Sequence, residues 1–250
     1  MDIGVTVGDS VERIGRTGSG FSRIEFGLSE AAEIPVEIDN RELQRQLQHV
    51  DAGLDVHLPF KQVVATPVSE INKAIVGYLS RLLRWAGDMN AQKAVLHGTA
   101  RDPYDTDQRS FVAKQLEQIV AAGAAHNVEV VVENVGHQRH GLQLSVLGDI
   151  ARSTDTPICF DIGHAFMEEG QGGIDRFLKR NGDLISHLHV HDVRSRGDTH
   201  MPVGAGEIDF SSLATHLDGF AGSVAIEVFT DDTDLLHDSA DRIASLLPDQ

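Results

Sequence analysis

The sequence predicts a single-domain α/β protein of the (β/α)8 barrel class, and three observations predict it. Short β-branched runs alternate with longer amphipathic stretches eight times across 250 residues, the strand-then-helix rhythm of a closed parallel barrel. No Pro-, Gly- or Ser-rich linker and no shift of composition interrupts that rhythm, so residues 1–250 read as one domain. The main alternative, a doubly wound open sheet, calls for a glycine-rich phosphate loop after its first strand. The stretch "VGDSVERIGRTGSG" does not match GxGxxG.

Taken in order, the first strand is "IGVTV" (3–7), and only about 14 residues separate it from "SRIEF" (22–26), the shortest unit. "NRELQRQLQHVD" (40–51) repeats apolar residues at three- and four-residue steps, as a helix does, and leads into the strand "GLDVH" (53–57). "SEINKAIVGYLSRLLRWAGD" (69–88) keeps the helical period and precedes "KAVLH" (93–97). The next helix, 105–126, opens on Asp and Thr of the capping type and precedes "EVVVE" (129–133). Shorter helices over roughly 142–153, 172–181, 209–219 and 231–246 alternate with "PICFD" (157–161), "ISHLHVH" (185–191) and "SVAIEVF" (223–229).

Composition narrows the class. No apolar run approaches the roughly 20 residues that span a bilayer, and "MDIGVTVGDS" lacks a basic leader followed by an apolar core, so the expectation is a cytoplasmic protein without a membrane partner. The one cysteine, Cys159, excludes an intrachain disulfide and a thiolate metal cluster, and its strand context suits a buried small hydrophobe. The formal charge is −17, Asp outnumbers Glu, and lysine occurs only at 61, 73, 93, 114 and 179. Such a surface argues against nucleic acid as a partner, because duplex binding relies on clustered Lys and Arg. It suits a protein kept soluble in high salt, so a halophilic source is expected.

Active sites of such barrels gather at the carboxyl ends of the strands. Those ends carry Glu25, His57, His97, Glu133, Asp161 with His164 three residues on, the ladder His187–His189–His191 followed by Asp192, and Glu227. A barrel brings these side chains to one mouth, where so many carboxylates and imidazoles are costly without a cation. Imidazole and carboxylate donors without thiolate suit Zn2+, Mn2+, Fe2+ or Co2+.

In order, "DVHLPF", "VLHGTA", "VVVENVGH", "CFDIGHAF", "HVHDVRSRGDTHMPVGAGEIDF" and "AIEVF" resemble the xylose isomerase-like TIM-barrel superfamily, from about residue 53 to 229. That group holds sugar and sugar-phosphate isomerases and epimerases together with endonuclease IV-type apurinic-site nucleases. The resemblance implies Glu133, Asp161, His189 and Glu227 as metal ligands, with Glu133 and Glu227 doubling as catalytic acid and base. Resemblance to the nuclease branch adds His57, His97, His164, Asp198 and His200, a set for up to three ions with Glu133 bridging two of them.

The departures from the nuclease pattern are as specific as the matches. Gly163 stands where it has Cys, "HVHDVRS" replaces an H-x-N-[DE]-[SA]-K stretch, and Thr199 replaces an Arg. The stretch from His189 to Asp198 is also shorter, and the loop after His57 lacks a Tyr and an Asn. Relatives with DxGHA and HxHDN segments are nearer, although Val193 stands in place of that Asn.

The resemblance therefore implies a metal-dependent sugar or sugar-phosphate isomerase or epimerase holding one to three ions of Zn2+ or Mn2+. A small sugar or sugar phosphate is the partner, and a homo-oligomer is compatible with the sequence. The alternatives are a zinc phosphodiesterase of the endonuclease IV type and a metal-dependent lyase or dehydratase of keto-polyols.

Substrate contacts are assigned to Glu25, His191 and Arg196. Among the ladder residues, His189 is the ligand, His187 a deeper hydrogen-bonded residue, and His191 with Asp192 a rim pair. The "VGAGEIDF" turn at Gly204 and Gly206 permits a tight loop before a helix capped by Asp209. Free N–H groups there, with Arg194 or Arg196, would be the place for a phosphate.

Overall fold

The computed structural model describes residues 1–30, 38–195 and 197–247; Arg196, assigned to substrate by sequence, lies outside them. Eight parallel strands close into a barrel in the spatial order β1-β10-β7-β6-β5-β4-β3-β2, counting ten strands in chain order. They are β1 Asp2–Thr6, β2 Arg23–Gly27, β3 Gly53–His57, β4 Lys93–His97, β5 Glu129–Glu133, β6 Ile158–Asp161, β7 Ile185–Val190 and β10 Ser223–Ile226. The other two, β8 Asp192–Arg194 and β9 Gly197–Met201, form a two-stranded antiparallel hairpin above β7. Helices α1 Val11–Thr17, α2 Asn40–Val50, α3 Ser69–Asp88, α4 Arg109–Ala124, α5 Leu144–Thr154, α6 Ile162–Asn181, α7 Ser211–His216 and α8 Thr233–Leu246 follow the barrel strands in turn. No helix among the described residues is long and apolar enough to cross a membrane.

The elements form for local reasons that the side chains supply. Asp39 caps α2 by accepting from the N–H groups of Arg41 and Glu42, and Asp232 caps α8 through Asp234. The left-handed residues Asp51 and Asp155 end α2 and α5. Leu43, Leu47, Leu79, Leu82, Leu83, Leu116 and Ile119 bury the inner faces of α2, α3 and α4 against the barrel.

Four features depart from the sequence expectation. The short first unit contains a helix, α1, whose cap Ser10 accepts from Arg13 N–H. The sixth helix starts at Ile162 rather than near 172, because Asp161 caps it and only Gly170 (φ 68°) interrupts its course. The eighth barrel strand ends at Ile226, so Glu227 stands one residue beyond it, anchored by its N–H to Val190 O at 2.9 Å. The β8–β9 hairpin was not anticipated; it carries Asp198 and His200 back toward the mouth.

The inside of the barrel is layered. At the floor Arg23 makes a two-pronged ion pair with Asp55, and Lys93 reaches Glu129 and Ser186. Val95, Val131 and Cys159 form a small apolar cluster of their own above it. Higher still, polar side chains take over, and there the candidate site begins.

Candidate metal centre

Among the described residues, three donor groups that share no member crowd the carboxyl end of the barrel, each with its ligand atoms within 4.8 Å of one another. The first joins His57 and His97, from the ends of β3 and β4, to Glu133 at the end of β5. Glu133 Oε2 lies 3.1 Å from His57 Nε2 and 3.2 Å from His97 Nε2. The second joins Asp161, His189 and Glu227. His189 Nδ1 stands 3.2 Å from Glu227 Oε2, 3.6 Å from Glu133 Oε1 and 3.9 Å from Asp161 Oδ2. The third joins His164, His191, Asp198 and His200, with Asp198 Oδ1 2.9 Å from His200 Nε2 and 3.8 Å from His164 Nε2. Glu133 links them, since Oε2 serves the first group while Oε1 faces His164 and His189.

The imidazoles are aimed by their second nitrogens. His57 Nδ1 faces Leu58 O at 2.9 Å, His164 Nδ1 faces Asn134 O at 3.1 Å, and His200 Nδ1 faces Glu227 O at 2.8 Å. A carbonyl only accepts, so each Nδ1 carries the hydrogen and each Nε2 presents its lone pair in the neutral ring. His189 is turned the other way, with Nε2 on Glu25 Oε2 at 2.9 Å and Nδ1 left toward the second group. His200 holds its place with a left-handed backbone, φ 41°, a conformation that non-glycine residues keep only where their surroundings enforce it.

Asp161 Oδ2, His189 Nδ1 and Glu227 Oε2 are buried and lack any hydrogen-bond partner among the described residues. They are also the three atoms that meet in the second group. Buried polar atoms are satisfied almost everywhere in proteins, so three such atoms facing one point fit a site for a cation. The donor chemistry, nitrogen and oxygen without sulfur, fits a divalent ion of the zinc or manganese kind.

Electrostatics agree with a site built for a cation. Burial alone would raise the carboxyl of Glu133, yet the charges of His97 and His189 hold it well below its usual range. Burial likewise opposes ionisation of Asp161, and His164 and His191 outweigh it. Burial would lower His164, but Asp161 and Glu133 push it up to about 10. Protons on imidazoles thus stand in for cations when the ligands are metal-free.

The structure relocates several residues assigned from sequence. Glu25 is not at the mouth; it lies buried across the barrel, taking His187 Nε2 at 3.2 Å and His189 Nε2 at 2.9 Å. A carboxylate on the strand's inward face can be placed by alternation, but its depth cannot. His187 is the deeper residue expected, fixed also on Ser223 Oγ at 2.7 Å. His191 is fully buried, stacked on His200 with ring centroids 3.9 Å apart, rather than at the rim.

Asp192 is buried too. Its carboxylate accepts from the N–H groups of Val193, Gly204, Gly206 and Ile208 at 2.8–3.1 Å. The "VGAGEID" loop therefore spends its donors on an internal anion, and no phosphate can dock on them. Gly206 is required there, because a Cβ would lie 2.3 Å from Asp192 Oδ1. Arg194 donates to Ala205 O, and Asp209 accepts from Ser211 N–H at the start of α7.

Two residues escaped the sequence analysis. Asn134 clamps the Asp161 backbone through both its amide atoms, at 2.9 and 2.8 Å; the "EN" pair after β5 was its only signal. His137 sits with its ring 4.2 Å from that of His164. Burial, and then the charge of His164, push its pKa down to about 4, so it stays neutral at pH 7. Phe60 and Phe229, both exposed, flank the mouth and stack on His97 and His200.

Comparison with known proteins places this fold. A family model described as "Xylose isomerase-like TIM barrel" matches residues 18–247. An uncharacterized protein of Methanocaldococcus jannaschii, MJ1614, is 24% identical over 260 residues, covering 92% of this chain and 99% of the relative. Among solved structures, a D-tagatose 3-epimerase-like protein superposes with a TM-score of 0.78 at 20% identity, covering 98% of this chain and 97% of the other. L-ribulose 3-epimerase superposes with a TM-score of 0.74 at 17% identity, covering 98% and 94%.

Proposed function

Because the chain belongs to the xylose isomerase-like TIM-barrel family, we propose that it is a metal-dependent isomerase or epimerase of a sugar or sugar phosphate. The observation that carries this reading is the meeting of three orphaned, buried atoms, Asp161 Oδ2, His189 Nδ1 and Glu227 Oε2, at one point beside Glu133. Similarity to sugar epimerases in fold supports it.

Glu133, Asp161, His189 and Glu227 would hold the principal ion. A divalent cation bound there supplies Lewis-acid polarisation of a carbonyl and its neighbouring hydroxyl. The chain supplies the rest. Glu227, whose side chain is 14% exposed, would exchange a proton with a substrate carbon. Glu133 faces four imidazoles with its two oxygens, so its negative charge is fixed and its part is to hold the donors together. Glu25 keeps Nε2 of His189 occupied and so keeps Nδ1 directed at the site. Phe60 and Phe229 offer apolar faces at the entrance.

A second reading, phosphodiester hydrolysis of the endonuclease IV type, is favoured by one observation: three donor groups stand side by side, and Glu133 of the first also faces His189 of the second and His164 of the third. The charge of −17 opposes a polyanionic substrate. The deciding experiment incubates the metal-loaded protein with a panel of ketoses and ketose phosphates in D2O. Deuterium entering the carbon next to the carbonyl, lost in Glu227→Gln, supports the sugar reading. No exchange with any of them, together with cleavage of abasic DNA, overturns it.

A further inference from the structure

We infer that His191 joins His164, Asp198 and His200 to hold a divalent cation in a closed, four-donor site that fastens the β8–β9 hairpin over the barrel mouth. Gly163 is what admits His191 to that site. This goes beyond the reaction proposed above and does not depend on the substrate.

His191 is fully buried, and neither of its ring nitrogens makes a hydrogen bond among the described residues. Its nearest polar contact is Nε2 to Asp161 Oδ1 at 3.2 Å. A wholly buried imidazole whose Nδ1 meets no partner and whose Nε2 has only the Asp161 carboxylate nearby is costly, and a cation lowers that cost. Its three neighbours are already arranged as ligands. His164 and His200 have their Nδ1 atoms on backbone carbonyls, and Asp198 Oδ1 lies between their Nε2 atoms. All four donors fall within 4.8 Å of one another. Tetrahedral zinc, with bonds of about 2.0–2.1 Å, spaces its ligands about 3.4 Å apart, so an inward shift of roughly an ångström closes the set.

The imidazole of His191 occupies space that any other residue at 163 would fill. A Cβ at Gly163 would lie 2.1 Å from His191 Cε1 and 2.5 Å from its Nε2. Glycine at 163 and histidine at 191 are therefore one device, and replacing either disables it.

Four protein donors leave no open position, the mark of a structural ion rather than a water-activating one. The donors come from α6, the end of β7 and the hairpin, so the ion would tie three elements together. It would also withhold this third ion from a phosphodiester, which favours sugar chemistry over hydrolysis.

The test strips the whole protein with chelator, confirms an unchanged circular dichroism spectrum, and reloads it with Zn2+ or Co2+. Wild type should retain one more ion per chain than His191→Asn by elemental analysis. Co2+ should give the strong visible absorption of a tetrahedral ion, absent from the variant. Gly163→Ala should lose the same ion although it removes no donor, and Glu227→Gln should keep it. Adding Zn2+ to wild type should also slow hydrogen exchange in the β8–β9 hairpin, a result that needs no variant to fold. Equal ion counts, equal affinity and equal Co2+ spectra in wild type and both site variants would overturn the proposal, as would a hairpin that Zn2+ leaves unprotected. Deuterium exchange into sugars can fail while this site stands, and the reverse, so the two readings fall separately.

Discussion

Glu25 Oε2 takes His189 Nε2 at 2.9 Å from the far side of the barrel, 164 residues away in sequence, and so decides which nitrogen His189 offers to the site. The carboxylate stays ionised despite burial, which raises its pKa, because the charge of His189 and the hydrogen bonds from His187 and His189 lower it further. Such outer carboxylates orient a metal-bound imidazole and raise its basicity. Glu25→Gln is expected to weaken metal binding by about 10–100-fold while leaving the barrel folded. Competition with a chromophoric chelator measures it, and unchanged affinity would remove Glu25 from the site.

A metal ion at the proposed site would compete with protons for the same imidazoles. His164, with an ordinary pKa of 6.5 and a folded value of about 10, binds its proton more tightly in the folded chain. The stability this lends to the metal-free protein is complete below about pH 6.5 and vanishes as pH rises through about 10. The metal-free melting temperature should therefore fall on His164's account between pH 7 and 10. Metal uptake at pH 7 should release protons. Calorimetric titration in buffers of different ionisation enthalpy reads that release directly; uptake without protons would contradict the electrostatics.

Asp192 gathers four backbone N–H groups into a buried nest beneath the "VGAGEID" loop. Removing the carboxylate orphans all four, at about 1–3 kcal/mol for each donor that water does not reach. Asp192→Ala should lower stability by about 2–4 kcal/mol in urea denaturation, with proteolysis starting in the loop around Gly204. A loss under about 0.5 kcal/mol, the scale of an ordinary surface change, would mean the loop is held otherwise.

How much of this was legible in the sequence follows from what a strand pattern can encode. Alternation along "EVVVE" or "KAVLH" fixes which face a side chain shares, and the end of the run fixes its height, so Glu133 and His97 could be assigned to the mouth. Glu25 lies in mid-strand, where the same alternation gives the face but not the partner across the barrel. His191 and Asp192 follow β7, and their burial depends on the hairpin folding back over them, a tertiary event with no periodicity. The onset of α6 was hidden because its cap, Asp161, is also a candidate ligand, and because the glycines around 170 masked the helical period.

A charge of −17 with only five lysines leaves the folded chain under strong self-repulsion at low salt. Screening lengths shrink from about 10 Å at 0.1 M to about 3 Å at 1 M salt, which relieves it. The melting temperature should rise as KCl goes from low to molar concentration. A fall over that range would end the case for a protein adapted to high salt.

Glu133 and Glu227 both face His189, yet their surroundings are unequal. Glu133 is 1% exposed and faces His57, His97, His164 and His189 with its two oxygens, so it holds donor groups together. Glu227 leans on His189 alone, through Oε2, and its side chain is more exposed, at 14%. Replacing Glu133 by Gln should therefore cost ions as well as turnover, with more than one donor group emptied. Replacing Glu227 by Gln should cut turnover by about 10²–10⁴-fold, the scale of a lost general acid or base, while most of the metal stays bound. Elemental analysis run beside the deuterium-exchange rate separates the two patterns. If Glu227→Gln empties the site and Glu133→Gln does not, the division of labour between them is reversed, and proton transfer belongs to Glu133.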